Sequence, residues 1–374
     1  MDWTRRGFLG AMAAAAGTAA IGAFPRTARA RSARATVPVT YFQSIPIERG
    51  ELDPKGTVGG TRSRLNVILG EGGNALLVAD KGGWVLVDTK AAPFGVLLRN
   101  HLMYYKADLA QPGLVVNTHH HADTTGGNHA FLGTVPVIAH PKAIKRVQNQ
   151  HMLYSISAQE FFNKIDKLDA ASRHFIDADV LPLKDIAPKW EPKDFLPDRA
   201  MDGDMEVILV GQGKDKCEVE LYHFGSGHTE CDIIARFPKY NVIAVGDLCF
   251  NRSHAIIDRG SNGNSRSWTN VLNKVIDLCD KDTIIVPGRG ELTDVHGLKD
   301  QIRYFDIVRE NVLAHWKNRG QRNKAETLVI EEFKDYALPQ NAAIAYGSIY
   351  DEIVAENRAV KDAIPVPPNA GGRS

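Results

Sequence analysis

At 374 residues, with 44% hydrophobic and 24% charged side chains, the chain is long enough to bury a large core, and disordered and fibrous classes are excluded. The formal net charge is +1; four arginines and one aspartate fall within the first thirty residues, so the remainder carries a net −2. That balance argues against a nucleic-acid partner or an anionic membrane surface and favours a small, neutral or mildly charged substrate.

Thr4-Arg5-Arg6-Gly7-Phe8-Leu9 resembles the paired-arginine signal of twin-arginine export. A mild apolar stretch from Ala11 to Phe24 follows, and Ala28-Arg29-Ala30 supplies the small-x-small pattern of a signal-peptidase site. Residues 1–30 are therefore expected to be a signal peptide. It would deliver folded protein to the periplasm or the exterior, with no stable membrane association after cleavage. An uncut anchor would need a longer and more apolar stretch. The four cysteines, Cys217, Cys231, Cys249 and Cys279, lack paired ligand spacing. They read as small buried apolar residues, with a disulfide left open.

Asn66 to Leu69, Ala75 to Val78 and Trp84 to Asp88 read as strands, punctuated by Gly72-Gly73-Asn74 and Lys81-Gly82-Gly83. Pro93 to Tyr105 reads as a helix and Leu114 to Val116 as a short buried strand. Ser155 to Phe175 has helical periodicity and is expected to cover the site, because it lies between chemistry-bearing motifs. A second strand series follows at Val207 to Val210, Cys217 to Phe224, Asp232 to Phe237, Asn241 to Val245 and Thr283 to Val286. Between the last two, Trp268, Val271, Leu272, Val275 and Ile276 share one helical face. Helical patterns return at Leu298 to Trp316 and Ala342 to Asn357. Two strand-rich halves, each closed by helices, predict a layered α/β sandwich over residues 37–318, with 319–374 as a helical C-terminal extension.

The chemistry concentrates in Asn117-Thr118-His119-His120-His121-Ala122-Asp123-Thr124-Thr125-Gly126-Gly127-Asn128. A strand ends here, and alternate positions on a tight loop aim two imidazoles at one point. Zinc accepts imidazole nitrogen, and a catalytic zinc takes three protein ligands with one position open. The glycine pair lets the backbone turn sharply into a helix.

His119-x-His121-x-Asp123 followed by Gly-Gly-Asn resembles the signature loop of the metallo-β-lactamase superfamily. Other elements of that signature follow in order. Gly225-Ser226-Gly227-His228-Thr229 is similar to the loop carrying the third histidine. Gly246-Asp247, nineteen residues on, matches the metal-bridging aspartate, and Pro287-Gly288-Arg289-Gly290 resembles a Pro-Gly-His-Gly loop. Val85-Leu86-Val87-Asp88 matches an early strand-end aspartate that buttresses the site. The resemblance covers roughly Asn66 to Leu313. It implies a four-layer αββα fold and a hydrolase in which zinc held by His119, His121 and His228 carries an attacking hydroxide. Asp123 would orient that hydroxide or take its proton, with Asp247 beside the metal. An ester, lactone, thioester or amide, including a β-lactam, is the implied substrate.

Two positions depart from the pattern. Many relatives follow the loop aspartate with a second-zinc histidine, where this chain has Thr124. They also place a histidine in the last loop, where it has Arg289. Asp123 and Asp247 alone hold zinc poorly, so one ion is expected and a second is in question. Arg289 is expected to bind those two carboxylates instead, through a bidentate pair with Asp123.

Of the remaining histidines, His120 is expected to pack or bond to backbone, and His129 to serve a structural role after the glycine pair. His223 is expected to sit satisfied within a strand, and His254 to occupy a surface or loop. Arg252 and Arg266 are open between orienting a substrate carboxylate and a solvated role. Two other functions remain open. One is an iron-dependent oxidoreductase of the same fold; the other is a non-catalytic binding protein with a degenerate metal site. Oligomeric state is undetermined by the sequence.

Overall fold

Successive residues of the strands divide between different cores. Val85 and Val87 face one way while Trp84 and Leu86 face the other, and all four are buried. A strand covered on both faces reads as a continuous apolar run rather than an alternation, which is the pattern seen in the sequence. The computed structural model describes residues 42–47, 65–80, 82–104, 110–167, 181–213 and 216–363. The expected export signal, residues 1–30, lies outside them.

The first sheet runs in chain order through β1 (Gln43–Ile47), β2 (Leu65–Leu69), β3 (Ala75–Ala79), β4 (Trp84–Val87), β5 (Gly113–Val116), β6 (Val137–Ala139) and β7 (Arg199–Ala200). Strands β1 to β4 form an antiparallel meander, and β4 to β7 are parallel. The second sheet comprises β8 (Met205–Val210), β9 (Cys217–Tyr222), β10 (Ile234–Phe237), β11 (Val242–Phe250) and β12 (Ile284–Arg289). It is antiparallel except for the β11–β12 pair, which is parallel. A parallel pair needs a crossover, here made by α4 (Ser265–Asp277). That helix is capped by Asn264, whose side chain accepts from the N–H groups of Arg266 and Ser267.

The inner faces of both sheets share one core, in which Val85, Val87, Leu114 and Val116 meet Val219, Leu221, Val242 and Ala244. The outer face of the first sheet, with Leu77, Leu86 and Val115, is covered by α1 (Gly95–Tyr104) and α3 (His151–Asp166), which follows α2 (Pro141–Asn149). The outer face of the second, with Ile243, Val245 and Ile285, is covered by α4, α5 (Val295–Lys317) and α6 (Gln340–Ala363). The result is the expected αββα layering. Burying a Leu or Ile side chain contributes roughly 1.5–3 kcal/mol each, so the three cores outweigh any single surface contact. The residues after 318 contribute Ala325, Ile330, Phe333, Ala345, Tyr346, Ile349 and Ile353 to the same outer core as Trp268 and Phe305.

Several expected elements shift. β9 stops at Tyr222, and His223, placed in a strand by its pattern, lies beyond it and half-exposed, with Nδ1 2.9 Å from the Asp232 carbonyl. β10 starts only at Ile234, because the Asp232 carboxylate is turned to accept from the Thr229 N–H and hydroxyl. β11 runs on to Phe250 through Gly246, whose φ of +53° bends the strand. α3 begins at His151, before the expected Ser155; residues 168–180 lie outside those described. It backs the first sheet rather than covering the site, burying Tyr154, Ala158, Phe162 and Ile165. Among the described residues, no helix is long and apolar enough to cross a membrane.

Candidate metal centre

The parallel strands β4, β5, β11 and β12 all end at the same edge, where α/β folds gather their sites. Asp88 follows β4, His119 to Asp123 follow β5, Asp247 lies within β11 and Arg289 ends β12. Gly288 makes the close approach possible. A Cβ there would lie 2.1 Å from Asp247 Oδ1.

His119 Nε2 lies 3.0 Å from His121 Nδ1, and His228 Nε2 lies 2.9 Å from that same nitrogen. All three imidazoles are buried. Each ring's other nitrogen meets an acceptor. His121 Nε2 is 2.9 Å from Asp258 Oδ2, and His228 Nδ1 is 2.7 Å from the Ile256 carbonyl. His119 Nδ1 is 3.0 Å from Thr118 Oγ1, which itself donates to Asp88 Oδ2 at 2.8 Å and can accept from the ring. With the outer nitrogens carrying the protons, the three convergent nitrogens of the neutral rings are lone pairs available to a cation. Three acceptors facing one another repel unless a cation lies between them. The donor set fits zinc, which takes imidazole at about 2.0–2.1 Å in a tetrahedron and so holds neighbouring nitrogens ~3.3 Å apart. The spacing here is within a few tenths of an ångström of that.

Burial lowers the basicity of His119 and His228, that of His228 to about 4, with the neighbouring imidazoles adding to the effect. Neutral rings at physiological pH are ready ligands. Burial acts on His121 in the same direction, but its hydrogen bond to Asp258 and that carboxylate's charge outweigh it and raise the ring's pKa. Asp88, fully buried, is pushed up to about 8 by burial, against the two Thr118 hydrogen bonds that favour its ionised form.

The other side of the pocket holds Asp123, Asp247 and Arg289. Arg289 Nε donates to Asp247 Oδ1 and Oδ2 at 3.2 and 3.3 Å, and Nη2 donates to Asp247 Oδ2 at 3.0 Å and to Asp123 Oδ2. The fork is thus made to Asp247, with Asp123 on a shared prong, not to Asp123 as expected. Asp247 Oδ2 also lies 4.0 Å from His119 Nε2 and 3.8 Å from His228 Nε2, so one carboxylate borders both sides. Burial would raise the pKa of Asp123, but the Arg289 guanidinium and His121 hold it below the usual carboxylate range. Thr124 turns its hydroxyl to the His121 carbonyl at 2.9 Å and offers the pocket no ligand.

Asp258 is the residue that sequence reasoning missed. It lies 137 positions from His121 and carries no motif; an acidic residue ending the apolar run Ala255-Ile256-Ile257 is its one faint signal. Lys90 was also missed. Its buried ammonium donates to the Ile68 and Gly73 carbonyls at 2.5 and 2.6 Å, holding the turn behind Asp123, and burial with the nearby Arg289 charge lowers its pKa to about 7. His120, expected to pack or bond to backbone, is buried and packed, and its ring nitrogens meet side chains, Ser261 Oγ at 3.1 Å and Cys231 Sγ at 3.4 Å. His120, His121 and Asp258 also lie together, but His121 Nε2 is already committed to Asp258, so this group supports the centre from outside. His254 is buried rather than superficial, with Nδ1 3.1 Å from Tyr304 Oη. His129 packs against Trp190 and Phe195, with Nδ1 2.9 Å from the Gly126 carbonyl. Arg266 is exposed and paired with Glu356, away from the centre. Cys217, Cys231 and Cys249 are buried and unpaired.

Residues 68–289 match the family model described as the metallo-beta-lactamase superfamily. The chain belongs to this superfamily. It is 36% identical over 92 residues to metallo-beta-lactamase IND-1 of Chryseobacterium indologenes, a stretch covering 23% of this chain and 37% of that protein. It is 29% identical over 77 residues to the type 2 metallo-beta-lactamase of Bacillus cereus, covering 21% and 30%. The matched stretches thus span about a third of the length of these curated superfamily members. Among solved structures, the inverting sec-alkylsulfatase Pisa1 from Pseudomonas sp. is similar in fold. Its TM-score is 0.54 at 14% identity, over 82% of this chain and 51% of that one.

Proposed function

We propose that the protein is an exported hydrolase using one zinc ion at His119, His121 and His228, with Arg289 standing where a second cation would bind. The carrying observation is the convergence of three imidazole nitrogens, each ring met from outside by its own polar partner. Three neutral nitrogens suit zinc better than the two-histidine, one-carboxylate set typical of non-haem iron oxygenases. Bound there, zinc supplies a Lewis acid for the substrate's electrophilic centre and lowers the pKa of water at its open position.

The chain's own groups do the rest. Arg289 keeps Asp123 ionised, so Asp123 orients the attacking water and accepts its hydrogen bond. Asp247, gripped by the guanidinium fork, lies along His119 and His228 and offsets charge on that side. The side chains of Asp123 and Arg289 are 15% and 16% exposed, so this pair faces the approach to the centre. The substrate class is a small ester, lactone, thioester or amide, β-lactams included.

Metal analysis of natively exported protein, with turnover on lactam, lactone and thioester panels, tests this. One zinc per chain and activity on one panel is expected. Iron in its place overturns the hydrolase reading in favour of an oxidoreductase. A zinc-loaded protein inert on every panel leaves a binding protein. For export, Arg5→Lys with Arg6→Lys should hold precursor in the cytoplasm, and unaltered secretion of that variant removes the twin-arginine reading.

A further inference from the structure

The loop 253–264 gives two of the three imidazoles their outer partners. The Ile256 carbonyl faces His228 Nδ1, and the Asp258 carboxylate faces His121 Nε2. It has little regular structure of its own beyond the turn Arg259–Ser261, so something else must fix it. The Glu230 N–H and the Gly227 and His228 carbonyls hold its second half, and its first half is held from the far end of the chain. The Ala337 carbonyl accepts from the His254 N–H at 2.9 Å, and the buried Asn341 Nδ2 donates to the His254 carbonyl at 3.0 Å. The buried Ser348 hydroxyl donates to the Ile257 carbonyl at 3.3 Å. Beyond the loop, the buried Glu352 accepts from the Ser265 N–H at 2.9 Å and from its hydroxyl at 2.5 Å, and Arg309 holds the same carboxylate at 3.0 Å.

We infer that the C-terminal segment from Ala337 to Glu352 sets the geometry of the metal centre, with Asn341 and Ser348 as positioning residues for His121 and His228. Both act through the backbone of the stretch that carries the outer partners. Ser348 holds the carbonyl between Ile256 and Asp258, and Asn341 holds the carbonyl two residues before Ile256. A ring whose outer acceptor wanders loses both its orientation and its preferred tautomer, and outer partners of metal-bound histidines typically matter 10–100-fold in affinity. The superfamily match ends at residue 289, so this device lies in a part of the chain the family pattern does not define.

The inference rests on the metal reading above, and its test separates the two. Full-length apoprotein carrying Asn341→Ala with Ser348→Ala is titrated with zinc against a chelator, and its cobalt-loaded form is examined by visible absorption. Zinc affinity should fall about 10-fold, and the cobalt bands should shift. Ser348→Thr, which keeps the hydroxyl, should stay near wild type. Arg322→Ala serves as the control for plain loss of stability, since it breaks the Arg322–Asp351 pair that secures the same helix without touching the loop. Unchanged affinity and spectrum in the double variant overturn the inference. So does an equal loss in Arg322→Ala at matched thermal stability. A wild type that takes up neither zinc nor cobalt overturns the metal reading and this inference with it, whereas a loaded wild type beside an indifferent double variant overturns this inference alone.

Discussion

On one side of the pocket three imidazoles turn bare nitrogens toward a common point; on the other, two carboxylates close on a guanidinium. The two sides share a loop. His121 and Asp123 are two residues apart yet serve opposite electrostatics. The first side is an excess of lone pairs that calls for a cation from outside. The second carries its cation on the chain, at Arg289. A guanidinium offers only donors and cannot act as a ligand, so it neutralises the carboxylates without rebuilding a metal site. The first side is therefore conditional on metal supply, and the second is complete once the chain has folded.

Removing one imidazole should have the largest effect. His121→Ala leaves two nitrogens and deprives Asp258 of its donor. Zinc affinity should drop by more than the roughly 100-fold that loss of an outer partner reaches, and hydrolysis should vanish with it. Full zinc content in that variant, measured by elemental analysis, would break the assignment of this side. Arg289→Ala attacks the other side and should cost about 3–5 kcal/mol of stability, the usual consequence of orphaning buried charges. Here the zinc on the imidazole side should remain. Arg289→His with Thr124→His should convert the pocket, raising the stoichiometry from one zinc to two. Two full-occupancy ions in the unaltered protein would end the distinction between the sides. Asp258→Asn is milder. It keeps the shape but withdraws the negative charge opposite His121, and a 10–100-fold weakening of zinc binding is expected.

How far the sequence revealed this depends on whether a residue's partners are local. His119, His121 and Asp123 sit within one turn, and His228, Asp247 and Arg289 each directly follow a glycine, so all six could be named from the chain. The long apolar strands and amphipathic helices were legible for the same reason. Asp258 was not, because its meaning arises only when a loop meets a histidine 137 positions away. Nor were β6 and β7, which hold three and two residues and owe their pairing to the sheet they extend rather than to any pattern of their own. The clamp's two ends were foreseen, but not its fork. Which carboxylate receives Nε depends on the approach of β12 to Gly246 and Asp247, a tertiary fact.

His129 offers the smallest and cleanest contrast. It shares lowered basicity with His119 and His228 but lacks convergence, since its Nε2 is buried without a hydrogen-bond partner against Trp190 and Phe195. Burial pulls its pKa down from 6.5 to about 4, opposed by the hydrogen bond to the Gly126 carbonyl. Between those values the unfolded chain holds a proton at this position that the folded chain refuses. Stability is therefore intact above pH 6.5 and falls as pH drops toward 4, by about 1.4 kcal/mol per unit for this one group. His129→Asn can retain a donor toward Gly126 while removing the titration. At pH 7 the variant should be the less stable protein, having lost ring packing. At pH 5.5 the gap to wild type should narrow by about 1.4 kcal/mol. Denaturant unfolding at the two pH values, with zinc held at saturation, reads this out. A gap independent of pH would mean that the folded protein protonates His129 as readily as the unfolded chain does, and burial alone would then not explain the neutral rings on the metal side either.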